Sequence, residues 1–192
     1  MKAADPGGSR FADELVRLLG ERSPADRRIL FVGLLNKHLP GGQRAVLVGG
    51  ALVEFYTSGL YTTGDVDLIG NWNAIEDVMR QAGFGKEGRH LYREDLGLVV
   101  EIPKDSLRRT ETVVLHEVEG LPVYAVTVED AIVDRLLAAK FWKSTTDWEQ
   151  AILLYAAHRA RVDPAVLEQK AAANDVPDTL RRLVSDVAGQ GR

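Results

Sequence analysis

The sequence predicts an α+β fold in which a mixed sheet is flanked by helices and followed by a C-terminal helical bundle. Two observations support this prediction. Short apolar runs, several of them β-branched, lie in the middle of the chain and are separated by turn residues. Longer segments with apolar residues at helical spacing lie before and after them. We therefore divide the 192 residues into a disordered start (1–9), a core with N-terminal helices (10–126) and a C-terminal helical subdomain (127–192).

Two helices are predicted ahead of the sheet. Apolar residues recur at helical spacing between Phe11 and Leu19. The second helix has Ser23 as its N-cap and Pro24 at its first helical position, and it ends at the break that begins with Pro40.

The strands are predicted from short buried-type runs, and the remaining helices from apolar periodicity. The predicted strands are 44–48, 65–69, 96–102, 112–118 and 123–126. Helices are predicted at 51–56 and 72–81, and from Glu129 to the end with breaks near 144–146, 163–164 and 175–177.

Composition narrows the class of protein. The chain has no cysteine, so disulfides and thiolate chemistry are excluded. Its apolar runs fall far short of the roughly 20 residues of a membrane span, and its start does not resemble a secretory signal. We therefore expect a cytoplasmic protein without a membrane partner. A net charge of −4 argues against bulk coating of nucleic acid, although basic pairs could form a local patch: Arg89 with Arg93, Arg108 with Arg109, and Lys140 with Lys143.

An Asp-x-Asp pair in a predicted strand is the first chemical signal. Side chains alternate along a strand, so Asp65 and Asp67 share one face while Val66 and Leu68 face the core. Two adjacent carboxylates repel each other and favour a cation between them. Hard oxygen ligands of this kind suit Mg²⁺.

A glycine pair is the second signal. Gly49 and Gly50 end a predicted strand and open a helix, a context in which backbone N–H groups approach phosphates and the helix dipole favours anions. The pair precedes Asp65 by fifteen residues, counted from Gly50. Together the two signals are more specific than either alone.

Residues 46–70, VLVGGALVEFYTSGLYTTGDVDLIG, resemble the nucleotidyltransferase superfamily, which has a polymerase-β-like fold. They match its hydrophobic-Gly-Gly motif followed by Asp-x-Asp. The superfamily often carries a third carboxylate on a later strand, and Glu101 matches it, with Asp105 a poorer match. The alternative for Glu101 is an ordinary edge-strand carboxylate.

Residues 127–156 resemble the helical region of AbiEii-type toxin nucleotidyltransferases and their small MenT-type relatives. Asp147 matches an Asp that opens a helix there, and it could equally be a carboxylate that interacts with the helix dipole. The resemblance also implies a basic residue. The family's spacing points to Arg135, whereas helical geometry places Lys140 on the apolar arc of its helix, and we prefer Lys140.

The resemblance implies transfer of a nucleotide from a nucleoside triphosphate, with attack on the α-phosphate and loss of pyrophosphate. Asp65 and Asp67 would hold one Mg²⁺, and Glu101 would assist a second. Gly49, Gly50 and the hydroxyls of Thr62 or Thr63 would bind the phosphates.

The resemblance further implies an RNA acceptor, with the 3′ end of tRNA as the leading candidate, and the role of a toxin with a cognate antitoxin. Alternatives are a protein-adenylylating antitoxin-type enzyme, a small-molecule nucleotidyltransferase and a degenerate binding module. The four histidines share no ligand-like spacing, and we interpret Trp142 and Trp148 as packing residues rather than base-stacking residues.

Overall fold

The computed structural model describes residues 6–20 and 22–189, with side chains from Arg10 onward. Residues 1–5 of the segment predicted to be disordered lie outside the described residues. The first helix already begins at Pro6, so residues 6–9 are helical, which corrects the prediction for that part. Proline is well suited to a first helical position because its missing N–H would have no partner there.

Within the described residues seven strands form one mixed sheet, in the order β3-β4-β5-β2-β1-β7-β6. The strands are β1 (Val46–Val48), β2 (Val66–Ile69), β3 (Gly85–Glu87), β4 (His90–Arg93), β5 (Leu98–Lys104), β6 (Val113–Val118) and β7 (Leu121–Val126). The five predicted strands are confirmed as β1, β2, β5, β6 and β7. The hairpin β3–β4 was not predicted.

The centre of the sheet combines antiparallel and parallel pairing. Strand β2 runs antiparallel to β1 and parallel to β5. On its other side β1 runs parallel to β7, which forms a hairpin with the edge strand β6. Strand β2, which follows the first aspartate and contains the second, is therefore flanked by strands on both sides.

Helices surround the sheet. They are α1 (Pro6–Leu19), α2 (Pro24–His38), α3 (Gly49–Tyr56), α4 (Trp72–Gln81), α5 (Val128–Phe141), α6 (Thr145–His158), α7 (Pro164–Ala173) and α8 (Pro177–Gly189). Helix α2 packs on β7, and α1 packs on α2 and α4. The C-terminal helices pack on one another, and α3 contacts both α2 and the α5–α6 pair. No described helix combines the length and apolar character needed to cross a membrane.

One apolar core extends from Phe11 in α1 to Val187 in α8. It includes Val66 and Leu68 of β2, which are completely buried. The predicted α+β class, with a mixed sheet, flanking helices and a C-terminal helical bundle, is confirmed.

A buried ion pair fixes α3 to α2. The Arg28 guanidinium donates two hydrogen bonds to the Glu54 carboxylate, at 2.9 and 2.8 Å. Both side chains are only 7% exposed. Since neither charge reaches water, each depends on the other for its solvation. Helix α3 begins at the glycine pair, so this ion pair also holds the element that carries that motif.

Replacing Glu54 should strongly destabilise the protein. The change Glu54→Ala leaves the Arg28 charge buried without its partner, and we expect a loss of about 3–5 kcal/mol in the free energy of unfolding. Urea unfolding measures it. The exposed pair Arg22–Glu119 provides the control, because Arg22→Ala should cost only about 0–1 kcal/mol. Equal losses in the two variants would contradict the assigned role.

Candidate active site

Asp65 and Asp67 lie on one face at the centre of the sheet. Asp67 is in β2, and Asp65 directly precedes that strand. Both are partly exposed, while the intervening Val66 is completely buried. The alternation predicted from the sequence therefore holds: the carboxylates face away from the core.

Gly49 provides the space that the Asp67 carboxylate occupies. It has a left-handed backbone with φ +66, and a Cβ placed on it would lie 1.9 Å from Asp67 Oδ2. Gly50 is similarly restricted, since its Cβ would lie 2.7 Å from Thr63 Oγ1. The glycine pair thus packs directly against the aspartate segment, a contact that side chains at these positions would prevent.

The electrostatics of this face disfavour charge on Asp67. Burial, followed by the negative charges of Asp65 and Glu101, raises the pKa of Asp67 to about 6. The positive charge of Arg135 and the backbone N–H of Gly50 act in the opposite direction. The Gly50 amide, predicted to meet phosphate, thus faces the Asp67 carboxylate in this structure.

The threonines before the aspartates differ in their environment. Thr63 Oγ1 donates a 2.9 Å hydrogen bond to Asp65 Oδ1, which orients that carboxylate. Thr62 is exposed. Phosphate binding by these hydroxyls stays a prediction.

Glu101 lies beside Asp67. The two residues are register partners in the parallel pair β2–β5, so their side chains share a face. The Glu101 carboxylate contacts Arg89 Nη1 and His90 Nε2, each at 3.3 Å. Asp105, the poorer match, follows β5 and is exposed. Among residues 6–20 and 22–189 no group of three or more histidine, aspartate or glutamate side chains is placed to hold a metal ion.

Arg135 of α5 is a cation that faces Asp67. It lines the same cavity as Asp67, and its charge lowers the pKa of that residue. Its Nη1 donates to Asp147 Oδ1 at 2.7 Å and to Gln150 Oε1 at 3.0 Å. Asp147 lies in the first turn of α6, so it combines a position near the helix start with an ion pair to Arg135.

Lys140 does not reach this cavity, which corrects the preference derived from helical geometry. It is exposed, and its Nζ donates to the backbone carbonyl of Asp175. The buried side of α5 includes Ala138, but the helix ends with exposed residues, Phe141 as its last residue and Trp142 as its C-cap. Lys140 and Lys143 border a separate surface cavity with Trp148.

The other basic residues are distributed rather than clustered. Arg108 lines the Asp67 cavity, and Arg89 reaches Glu101. Arg93 instead pairs with Asp95, and Arg109 is exposed. The predicted patch of six basic residues therefore does not form around the aspartates as a whole.

The cavity that Asp67 lines has a volume of about 440 Å³, within the usual range for a small-molecule site. Sequence reasoning missed Lys104, which lines it at the end of β5. It also assigned Trp142 to packing, but Trp142 lines the cavity and is 81% exposed. Trp148, in contrast, does pack against the core.

The raised pKa of Asp67 leads to a prediction about stability. Unfolded, Asp67 ionises near pH 4; folded, it ionises near pH 6. The native state therefore binds the extra proton between these values, and its stability falls as pH rises through this window. The change Asp67→Asn should remove that loss, so the variant should exceed the unsubstituted protein by about 1–3 kcal/mol above pH 7 and by much less at pH 4.

Urea unfolding with a chelator at several pH values measures this difference. Asp178 provides the matched control, because its side chain is 83% exposed and Asp178→Asn should not change the pH dependence. A stability gain from Asp67→Asn that is the same at pH 4 and pH 8 would contradict the electrostatic explanation.

Comparison with known proteins supports the fold. No family model and no curated protein matches the sequence. Among solved structures, an antigenic nucleotidyltransferase-like protein from Paracoccidioides brasiliensis is similar, with a TM-score of 0.53 and 18% identity over 82% of this chain and 92% of that one. The resemblance to AbiEii-type toxins stays a prediction from the sequence. The likeness in architecture assigns this chain a nucleotidyltransferase-like fold.

Proposed function

We propose that the protein is a magnesium-dependent nucleotidyltransferase that transfers a nucleoside monophosphate from a triphosphate to RNA. The leading acceptor is the 3′ end of tRNA, and the biological role is that of a toxin in a toxin–antitoxin pair. The supporting observation is the position of Asp67, the second residue of the acidic pair, which packs on the glycine turn of a nucleotidyltransferase-like fold and lines a cavity with Arg135.

The donor set fits a divalent cation. Asp65 and Asp67 share a face, and the raised pKa of Asp67 reflects burial and negative neighbours that a cation would offset. Mg²⁺ takes few protein carboxylates and completes its shell with water and phosphate oxygens, so it does not need a closed protein cage. When bound, it would supply positive charge that stabilises the triphosphate and the departing pyrophosphate.

Arg135 is the side chain best placed to bind the triphosphate. Asp147 and Gln150 hold its guanidinium, so little conformational freedom is lost when it contacts an anion. The N-terminus of α3 at Gly49 would add a favourable dipole. Together these groups would neutralise charge on the phosphates during transfer.

The proposed reaction is displacement at the α-phosphorus. The acceptor hydroxyl oxygen bonds to that atom, the bond to the β-phosphate breaks, and pyrophosphate leaves. Glu101 is the register partner of Asp67, and it is the additional carboxylate proposed to take up the hydroxyl proton or to help hold a second cation. It would first have to give up its contacts with Arg89 and His90.

The RNA acceptor is proposed from the sequence resemblance, and the charges at the cavity are compatible with it. Lys104 and Arg108 line the same cavity as Asp67. Phosphate groups of an acceptor would find positive side chains there despite the negative net charge of the chain. The toxin role implies a cognate antitoxin as partner.

Arg135 and Lys140 should differ in their effect on nucleotide binding. We expect Arg135→Ala to weaken binding of the magnesium–triphosphate complex by roughly 10-fold or more, because a charge-assisted contact is lost. Lys140→Ala should leave the affinity unchanged, since Lys140 lies outside the cavity. Isothermal titration calorimetry with each nucleoside triphosphate measures both.

The same titrations without magnesium complete the test. Binding should then become much weaker, because the phosphates face uncompensated carboxylates. Equal affinity with and without the metal would argue strongly against the proposed site. A loss from Lys140→Ala with none from Arg135→Ala would reverse the assignment of the cation.

The acceptor can be identified by transfer of label. The protein is incubated with total RNA, Mg²⁺ and each α-labelled triphosphate in turn, and label should appear in tRNA. The change Asp67→Ala should abolish it, since the metal would lose a ligand. Lys140→Ala provides a variant that should retain the activity.

The distribution of label distinguishes the alternatives. Label on a protein would transfer the assignment to the protein-adenylylating class, with a Ser, Thr or Tyr hydroxyl as the acceptor. Label on a small molecule would indicate the third class of enzyme. Binding of triphosphate without transfer to any acceptor would favour a binding module.

A further inference from the structure

One side of α5 lines the cavity along the length of the helix. From Asp130 to Trp142 its lining residues recur at helical spacing, and they include Asp134, Arg135 and Ala138. The small side chain of Ala138 leaves space between Arg135 and the end of the helix. The stripe is charged at Asp130 and at Asp134–Arg135, and it is aromatic where α5 ends.

The aromatic end is exposed. Phe141 is 58% exposed and Trp142 is 81% exposed. Two neighbouring aromatic residues with so much surface in water are unusual for a residue pair that only serves packing. Because Trp142 is the C-cap residue of α5, its position is fixed by the helix rather than by a long loop.

The distance between Arg135 and Trp142 suits a nucleotide. Trp142 follows Arg135 by seven residues, which is nearly two helical turns, so the two Cα atoms lie on almost the same side of α5. At 1.5 Å per residue they are about 10 Å apart along the axis. A ligand that places phosphate at Arg135 can therefore extend a ribose past Ala138 and bring its base to Trp142.

We infer that Trp142, with Phe141, forms the subsite that stacks on the nucleobase of the incoming nucleoside triphosphate. This inference rests on the proposed function and adds to it the position of the base. An aromatic face binds any base by stacking, so Trp142 contributes affinity for nucleosides in general. The choice among the four bases depends on other contacts.

Trp142 is assigned to the base of the incoming triphosphate, rather than to a base of the acceptor, because one continuous cavity connects it to Arg135 and Asp67. Arg135, Ala138 and Trp142 border one cavity of about 440 Å³ that also contains Asp67. A ligand that extends through this cavity from Asp67 therefore reaches Trp142 inside the same cavity.

Comparing nucleoside triphosphates with inorganic triphosphate tests the inference. Calorimetry with ATP, CTP, GTP, UTP and inorganic triphosphate, all with Mg²⁺, separates the base from the phosphates. Trp142→Ala should weaken nucleoside triphosphate binding by roughly 10- to 100-fold, as expected for the loss of one stacked base. Binding of inorganic triphosphate should not change, and Trp142→Phe should retain most of the affinity.

Leu115 provides a matched control. It is 60% exposed on the edge strand β6 and does not line the cavity, so Leu115→Ala should leave all affinities unchanged. Because Trp142 is largely in water, its replacement should not affect folding, which circular dichroism can verify.

Each result has a definite consequence. If Trp142→Ala leaves nucleoside triphosphate binding unchanged, the base subsite is wrong, and a reduced rate of transfer to RNA would then place Trp142 with the acceptor. If the variant weakens inorganic triphosphate equally, Trp142 acts on the phosphates and the inference also fails. If the unsubstituted protein binds neither ligand, the proposed function itself is wrong.

Discussion

The contact between the Asp67 carboxylate and the α-carbon of Gly49 constrains the rest of the site. It requires a residue without a side chain in a left-handed conformation at the end of β1. It also requires β1 to lie directly beside β2, where Val48 and Asp67 are register partners. One contact therefore links the strand order, the start of α3 and the direction of the carboxylate. The Arg28–Glu54 ion pair fixes the same helix further along.

The site is held in place by parts of the fold that do not take part in it. Burial and two acidic neighbours make the Asp67 charge unfavourable in the folded protein. The opposite side of the same strand offsets this cost, because Val66 and Leu68 are completely buried in the core. Functional sites often carry such local destabilisation. Because side chains alternate along β2, one face of the strand carries the destabilising carboxylate and the other face packs in the core.

The sequence predicted the elements whose residues interact locally. The strands with apolar runs and the aspartate and glycine motifs follow from periodicity and spacing, whereas β3 and β4 do not, because Gly85–Glu87 has no apolar run and forms a strand only through pairing. The choice between Arg135 and Lys140 could not be made either. It depends on how α5 docks against α6, which sets Asp147 opposite Arg135, and no local pattern encodes that contact. The seven-residue spacing from Arg135 to Trp142 is a sequence signal that could have placed Trp142 on the same side of α5 as Arg135.

The charges of the cavity bear on the form in which a triphosphate enters it. Its lining includes four acidic residues, Asp67, Glu111, Asp130 and Asp134, and three basic ones, Lys104, Arg108 and Arg135. Lys170 pairs with Asp130 from outside the lining, so the acidic and basic charges nearly balance. Arg135 also pairs with Asp134 and Asp147, and it therefore offers a triphosphate only part of its charge. A bare triphosphate would keep most of its own negative charge in such a cavity, whereas one whose charge is already reduced by a divalent cation needs less compensation from the protein. This balance favours entry of the metal complex over entry of the free anion.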